Sequence, residues 1–101
     1  MRFCFTFRPR FSSAVKAAFL DRDGVINVDY AYVHSRENFH FIPGALEGAA
    51  ELVRKGHQLI IVTNQSGIGR GKYSIDQFRE LTFWLAGVFA RNHAPLSAVY
   101  F

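Results

Sequence analysis

The chain has one cysteine, Cys4, among its 101 residues. A single thiol cannot form an internal disulfide, and it cannot provide a pair of thiolate ligands for a metal. The chain also lacks an apolar run near the roughly 20 residues that a membrane-spanning helix needs. Half of its residues are nevertheless apolar and 16% are aromatic, a composition typical of globular proteins. We therefore expect one small cytoplasmic domain without a membrane partner.

Acidic residues are absent from the first 16 positions, and this absence locates the net charge of +4. That segment carries four basic residues, whereas residues 17–101 carry eight basic and eight acidic residues. The positive charge thus belongs to the leading segment and not to the body of the protein. A basic face that binds nucleic acid is not expected on the folded part.

The leading segment, residues 1–15, allows more than one interpretation. Its arginines and serines without acids resemble the composition of an organelle transit peptide. The alternation of Phe3, Phe5 and Phe7 suits a β-strand, but Pro9 soon interrupts it. We favour a poorly ordered N-terminal extension, followed by the domain over residues 16–101.

Apolar periodicity in residues 16–101 predicts three strands that alternate with two helices. The strands are expected at 16–20, 58–63 and 97–101, and the helices at 43–55 and from Ser74 to the segment at 93–95. A strand–helix–strand–helix–strand order favours right-handed crossovers and a parallel sheet. The expected fold is an α/β, Rossmann-like three-layer sandwich that stops after its third strand.

Polar residues follow the first two predicted strands. Asp21 and Asp23 come after the first strand, and Thr63, Asn64 and Gln65 come after the second. Ligands of parallel sheets bind outside the carboxyl ends of the strands, and these ends lie at the same edge. We therefore expect the two groups to meet in space, although about 40 residues separate them in sequence.

The aspartate pair has three candidate roles. A calcium loop of the EF-hand type is excluded, because the sixth position counted from Asp21 is Ile26 and not glycine. A solvated turn capped by aspartate side chains remains an alternative. We favour phosphoryl chemistry, in which one carboxylate is a nucleophile or magnesium ligand and the other is a general acid. The hydroxyl of Thr63 would then donate to phosphoryl oxygens.

The segment "NQSGIGRGKY", residues 64–73, is rich in glycine. Its glycines at 67, 69 and 71 match neither the dinucleotide fingerprint nor the Walker A loop. A phosphate cradle and a plain turn before a capped helix remain equally open from this loop alone.

Two stretches closely resemble the signatures of haloacid dehalogenase-type phosphatases. "KAAFLDRDGVIN" (16–27) resembles their first signature, an apolar strand followed by D-x-D, and "LIIVTNQSGIGRGKY" (59–73) resembles the second. Together with I-N-V-D-x-x-Y-V-H (26–34) and F-x-F-I-P-G (39–44), they resemble the branch of the bacterial heptose 1,7-bisphosphate 7-phosphatases. Histidinol-phosphate phosphatases are the nearest sibling of that branch. The resemblance extends over residues 16–101.

The resemblance implies a mechanism and a cofactor. Asp21 would attack the phosphorus to form an aspartyl-phosphate, and Asp23 would act as general acid and then as general base. Mg²⁺ would be held by the Asp21 carboxylate and the Asp23 backbone carbonyl. The substrate would be a small phosphorylated sugar. The residues expected to contact it are Thr63, Asn64, Gln65, Arg70, Asn27, Tyr32 and His34.

Members of the family continue past the third strand, beyond the position of Phe101. The continuation carries a Cys/His loop that binds zinc, a lysine, and an acidic pair that completes the magnesium site. We therefore expect no Zn²⁺ site in this chain and a bare edge on the first strand, which favours self-association. A non-catalytic remnant that needs a complementing fragment, and a small phosphate-binding module, remain alternatives to an enzyme.

Overall fold

The computed structural model describes residues 16–101 and the backbone of residues 3–6. Four strands are described: β1 (Phe3–Thr6), β2 (Lys16–Asp21), β3 (His57–Val62) and β4 (Leu96–Tyr100). The helices are α1 (Ala45–Arg54), the short α2 (Ser66–Gly69) and the long α3 (Ile75–Arg91), and a 3₁₀ turn occupies Arg36–Asn38.

The described strands form one sheet in the order β1-β4-β3-β2. Strands β2, β3 and β4 are parallel, and Asp21 lies opposite Val62, which in turn lies opposite Tyr100. The predicted parallel α/β fold is confirmed, and the three parallel strands lie within one residue of their predicted bounds. Their carboxyl ends meet at one edge, as parallel pairing requires.

Strand β1 differs from the poorly ordered extension expected over residues 1–15. It pairs antiparallel with β4, and Phe3 lies opposite Tyr100. The edge of β4 supplies backbone partners, and a segment with aromatic residues at every second position is suited to use them. Residues 1, 2 and 7–15 lie outside the described residues, so the expectation for them stays a prediction.

The core lies between the sheet and the two longer helices. Leu59 and Ile61 of β3 share one apolar cluster with Ala49 of α1 and with Leu85 and Phe89 of α3. All five are at most 4% exposed. The uninterrupted apolar run of β3 is typical of a central parallel strand. No helix in the described residues is long and apolar enough to cross a membrane.

Helix α3 begins at the predicted capping box. The Ser74 hydroxyl accepts the backbone N–H of Gln77 at 3.1 Å, and the Gln77 side-chain oxygen accepts the backbone N–H of Ser74 at 2.8 Å. Both bonds satisfy donors that a helix start would otherwise leave unpaired. The capping box thus fixes the residue at which α3 begins after the glycine-rich loop.

Gly56 and Gly48 offer a matched test of the backbone around α1. Gly56 has φ +92° after the helix, Gly48 lies inside it, and a Cβ at either position would meet no atom within 4 Å. We expect Gly56→Ala to lower the free energy of unfolding by about 1 kcal/mol, because alanine is strained in the left-handed region. Gly48→Ala should raise it by about 0.5–1 kcal/mol. Urea denaturation measures both free energies of unfolding. Two alanine variants that change this free energy in the same direction would contradict the expectation.

Among the strands that the structure describes, β2 lies at the edge of the sheet, and it carries Phe19, which is 66% exposed. Unpaired strand edges with apolar side chains favour association between chains. We expect concentration-dependent association in sedimentation velocity, and Phe19→Lys should weaken it by about tenfold. The control is Phe83→Lys on α3, where the phenylalanine is 58% exposed but lies on a helix. A wild-type chain that stays monomeric at high concentration would contradict the expectation.

Candidate active site

The two predicted groups of polar residues meet at the carboxyl edge of the sheet. Asp21 is the last residue of β2, and Thr63 follows β3, where its backbone N–H donates to the carbonyl of Tyr100 at 3.0 Å. Both residues line an open cavity of about 370 Å³. The lining contains six of the nine predicted site residues: Asp21, Asp23, Tyr32, Thr63, Asn64 and Gln65. It also contains Arg22, Asp29, Ser66, Gly67 and Tyr73, which the sequence did not single out.

A tight turn after β2 fixes the direction of the two aspartates. The carbonyl of Arg22 accepts the backbone N–H groups of Ile26 at 2.8 Å and Asn27 at 3.1 Å. Gly24 lies within this turn with φ +88°, a conformation that favours glycine. The D-x-D-G pattern thus reverses the chain, and it places Asp23 beside Asp21 at the cavity.

The carboxylate of Asp23 is held through one of its two oxygens. Its Oδ1 accepts from Arg22 Nη2 at 3.0 Å and from Asn27 Nδ2 at 2.9 Å. Arg22 also donates to the carbonyl of Val33 at 2.7 Å, and Asn27 donates to the carbonyl of Val28 at 3.1 Å. In the described residues every hydrogen bond to this carboxylate goes to Oδ1. Its Oδ2 is therefore available to exchange a proton with a ligand.

Arg22 and Asn27 orient the Asp23 carboxylate from buried positions, and of the two only Arg22 also lines the cavity. They are 3% and 0% exposed, and Asn27 does not line the cavity, although the sequence predicts it as a substrate contact. Its position next to Asp23 makes it a residue that orients the carboxylate. Arg22 was missed by sequence reasoning, and the available signal was an arginine placed between two acids. Its positive charge compensates for the partial removal of the Asp23 carboxylate from water, since that side chain is 25% exposed.

Thr63 is connected to a second chain of buried hydrogen bonds. Gln65 Nε2 donates to Thr63 Oγ1 at 2.7 Å, and the hydroxyl of Tyr73 donates to Gln65 Oε1. Burial raises the pKa of Tyr73 above its ordinary value, and the opposing charge of Arg22 does not cancel this effect. The phenol therefore keeps its proton, and its role as a donor, across the neutral pH range.

The other two predicted residues, Arg70 and His34, contact tyrosines that line the cavity. Arg70 Nη1 donates to the hydroxyl of Tyr32 at 3.0 Å, and His34 Nδ1 lies 2.8 Å from the carbonyl of Tyr32. The His34 ring also stacks on the ring of Tyr73, with 5.2 Å between centroids. Neither Arg70 nor His34 lines the cavity itself. They support its rim from outside.

The cavity lining carries three aspartates and one arginine, a formal charge of −2. A phosphate dianion would be repelled by this charge unless a cation accompanied it. No group of three or more His, Cys, Asp or Glu side chains that could hold a metal occurs in the part of the chain that the structure describes. The oxygen atoms present nevertheless suit Mg²⁺. They are the aspartate carboxylates and the backbone carbonyl of Asp23, which accepts no backbone hydrogen bond in residues 16–101. That ion commonly binds one or two carboxylates together with substrate phosphate and water.

No protein-family profile matches the chain. The chain is 49% identical over 86 residues to a D-glycero-beta-D-manno-heptose-1,7-bisphosphate 7-phosphatase of Haemophilus influenzae, covering 85% of this chain and 47% of the relative. It is 51% identical over 88 residues to the same-named protein of Vibrio cholerae, with 87% and 47% covered. The chain thus spans about half the length of the curated relatives it matches.

Two solved structures are similar to this fold. A D,D-heptose 1,7-bisphosphate phosphatase from B. bronchiseptica, complexed with magnesium and phosphate, has a TM-score of 0.80 and 30% identity. The match covers 85% of this chain and 49% of that one. A HAD-like phosphatase of Mesorhizobium loti has a TM-score of 0.76 and 33% identity, with 84% and 41% covered. The resemblance predicted from the two signatures is confirmed.

Gly67 and Gly69 provide a matched test of the cavity wall, because both lie in α2. A Cβ on Gly67 would lie 2.2 Å from Tyr73 Cε1 and 2.8 Å from Tyr32 Cδ1, whereas one on Gly69 would meet nothing within 4 Å. We expect Gly67→Ala to displace both rings and to lower the free energy of unfolding by about 1–3 kcal/mol. Gly69→Ala should leave it within about 0.5 kcal/mol of wild type. Urea denaturation measures both, and equal losses would contradict the close approach.

Proposed function

Because the chain belongs to the haloacid dehalogenase superfamily, in its heptose-bisphosphate phosphatase branch, we propose that it hydrolyses a sugar phosphate monoester through an aspartyl-phosphate. One observation carries this proposal. Asp21 at the end of β2 lines the same cavity as the clamped Asp23 and as Thr63 at the end of β3. A nucleophile, a proton donor and a phosphoryl-binding hydroxyl are the groups that the reaction needs.

In the first step a carboxylate oxygen of Asp21 attacks the phosphorus. The bond from phosphorus to the sugar oxygen breaks, and Asp23 delivers a proton from Oδ2 to that leaving oxygen. The clamp on Oδ1 supports this assignment, because Arg22 and Asn27 fix the carboxyl plane and leave the second oxygen for the substrate. The products are the free sugar alcohol and a phosphorylated Asp21.

In the second step water attacks the phosphorus of the aspartyl-phosphate. Asp23, now ionised, takes a proton from this water, and the bond between phosphorus and the Asp21 oxygen breaks. Inorganic phosphate leaves, while Asp21 is again a carboxylate and Asp23 is again protonated. The hydroxyl of Thr63 and the donors of Asn64 hold the phosphoryl oxygens through both steps.

The negative cavity supports a requirement for Mg²⁺. The Asp21 carboxylate and the Asp23 carbonyl would hold the ion. When bound, it would offset the repulsion between the carboxylates and the phosphate and would neutralise charge that develops on the phosphoryl oxygens. Asp23 in turn keeps its side chain for proton transfer, because only its backbone would serve the ion.

A phosphorylated heptose is the substrate we propose, at its 7-phosphate, because the similar curated proteins carry that activity in their names. The cavity rim supports a polyhydroxylated substrate, since Tyr32 and Asp29 line it and can hydrogen-bond to sugar hydroxyls. Arg70 donates a hydrogen bond to the Tyr32 hydroxyl, and from the rim its charge would attract the anionic end of a bisphosphate.

Turnover of three substrates by the 101-residue chain tests the proposal. With Mg²⁺ present, we expect release of phosphate from heptose 1,7-bisphosphate to exceed that from histidinol phosphate and from an aryl phosphate. Asp21→Asn should lower turnover by at least about a thousandfold, because the amide is a poor nucleophile. Asp76→Asn is the matched control, since Asp76 lies in the first turn of α3, outside the cavity.

Three results would contradict the proposal. Equal turnover by wild type and Asp21→Asn would remove the nucleophile from the mechanism. Preference for histidinol phosphate would reassign the substrate to the sibling branch. Phosphate binding without turnover of any substrate would favour a binding module or a remnant that needs a complementing fragment.

A further inference from the structure

We propose that Tyr73 and Gln65 form a directional hydrogen-bond relay that turns the hydroxyl hydrogen of Thr63 toward the bound phosphoryl group. The inference rests on the proposed function, because it assigns positioning residues to the phosphoryl site. It explains why an amide follows Thr63 and Asn64, and why a tyrosine is buried at the far end of the glycine-rich loop.

The direction of the relay follows from the orientation of the Gln65 amide, whose oxygen faces Tyr73 and whose nitrogen faces Thr63. An amide oxygen can only accept, so Gln65 Oε1 accepts from the hydroxyl of Tyr73. The amide nitrogen at the other end can only donate, and it donates to Thr63 Oγ1 at 2.7 Å. The hydroxyl of Thr63 therefore receives a hydrogen bond, and its own hydrogen remains for another acceptor. The cavity, which Thr63 lines, offers the site for that acceptor.

The reverse direction would disable the site. If the amide were turned over, its oxygen would take the hydroxyl hydrogen of Thr63, and none would remain for the phosphoryl oxygen. Tyr73 opposes this arrangement, because its burial keeps the phenol protonated and a protonated phenol needs an acceptor. The tyrosine thus sets the orientation of the amide, and the amide sets the orientation of the hydroxyl.

Burial and packing keep the relay in place. Thr63, Gln65 and Tyr73 are 3%, 8% and 6% exposed, so water is a poor substitute for any of the three partners. The ring of Tyr73 lies between the Cα of Gly67, where a side chain would clash with it, and the stacked ring of His34. A displaced ring would withdraw the phenol from Gln65, so these two neighbours position the donor.

A double-mutant cycle between Gln65→Glu and Thr63→Val tests the relay. A glutamate has the shape of glutamine but only accepts, so it should capture the hydroxyl hydrogen of Thr63. The readout is the dissociation constant of inorganic phosphate, measured by calorimetry with Mg²⁺ at neutral pH. We expect Gln65→Glu to weaken binding by about 10–100-fold when Thr63 is present, the range expected for a lost hydrogen bond to a charged group.

The Thr63→Val background separates the relay from a simple effect of charge. Valine has no hydroxyl hydrogen to divert, so Gln65→Glu should weaken binding there at least about fivefold less than when Thr63 is present. Equal losses in both backgrounds would mean that the glutamate acts by repelling phosphate, and the relay would be overturned. Thr63→Ser keeps the hydroxyl. In that background Gln65→Glu should again weaken phosphate binding by the full factor of about 10–100, and this comparison holds even if the valine variant folds poorly.

Tyr73→Phe tests the other end of the relay. Loss of the phenol should weaken phosphate binding by about 3–10-fold, because the amide of Gln65 is no longer fixed in one orientation. The matched control is Tyr30→Phe, since Tyr30 is 60% exposed and lies outside the cavity lining. Equal effects of the two variants would overturn the role of Tyr73.

The wild-type protein distinguishes failure of the relay from failure of the function. If wild type binds phosphate and releases it from substrates, but the cycle shows no coupling, only the relay is overturned. If wild type binds no phosphate and releases none, the proposed function is overturned and the relay with it.

Discussion

The site depends on the parallel pairing of β2 with β3. This register places Asp21 opposite Val62, so the carboxylate of Asp21 and the hydroxyl of Thr63 leave the sheet at the same edge. A slip of one residue would send every side chain of β2 to the opposite face. The two unlike faces of β2 prevent such a slip, because Ala18 and Leu20 pack against the core while Phe19, on the other face, is 66% exposed. Packing far from the cavity therefore determines its geometry.

Two buried hydrogen-bond systems turn that edge into a site with distinct roles. Arg22 and Asn27 hold one oxygen of Asp23, and Gln65 holds the oxygen of Thr63. Each system satisfies one side of a reactive group and leaves the other side for the ligand. Such orientation by buried neighbours is how enzymes avoid reorganisation during the reaction. The distinct roles we propose for the two aspartates follow from this asymmetry, since Asp21 is exposed at the strand end while Asp23 is clamped.

The elements that periodicity and capping determine could be predicted from the sequence. Residues 59–62 are all apolar and lie in the central strand β3, and Ser74 with Gln77 forms the capping box of α3. The meeting of Asp21 with Thr63 followed from the topology of parallel strands. The hydrogen-bond partners of Asp23 and Thr63 could not be predicted from the sequence, because the direction of these side chains depends on the conformation of the loops. Tyr73 reaches the site through ring packing, for which residue spacing gives no signal. Arg22 reaches it through a local turn, and its only signal was its place between two acids.

The central claim is that Asp21 carries the phosphoryl group between the two steps, and its most direct test is to trap that intermediate. The chain would be acid-quenched during turnover of heptose 1,7-bisphosphate with Mg²⁺, digested, and examined by peptide mass spectrometry. The account predicts one phosphoryl group on the peptide that contains Asp21, removable by hydroxylamine as an acyl phosphate is, and absent from Asp21→Asn. Turnover without a phosphorylated peptide, or with the phosphoryl group on another residue, would contradict it.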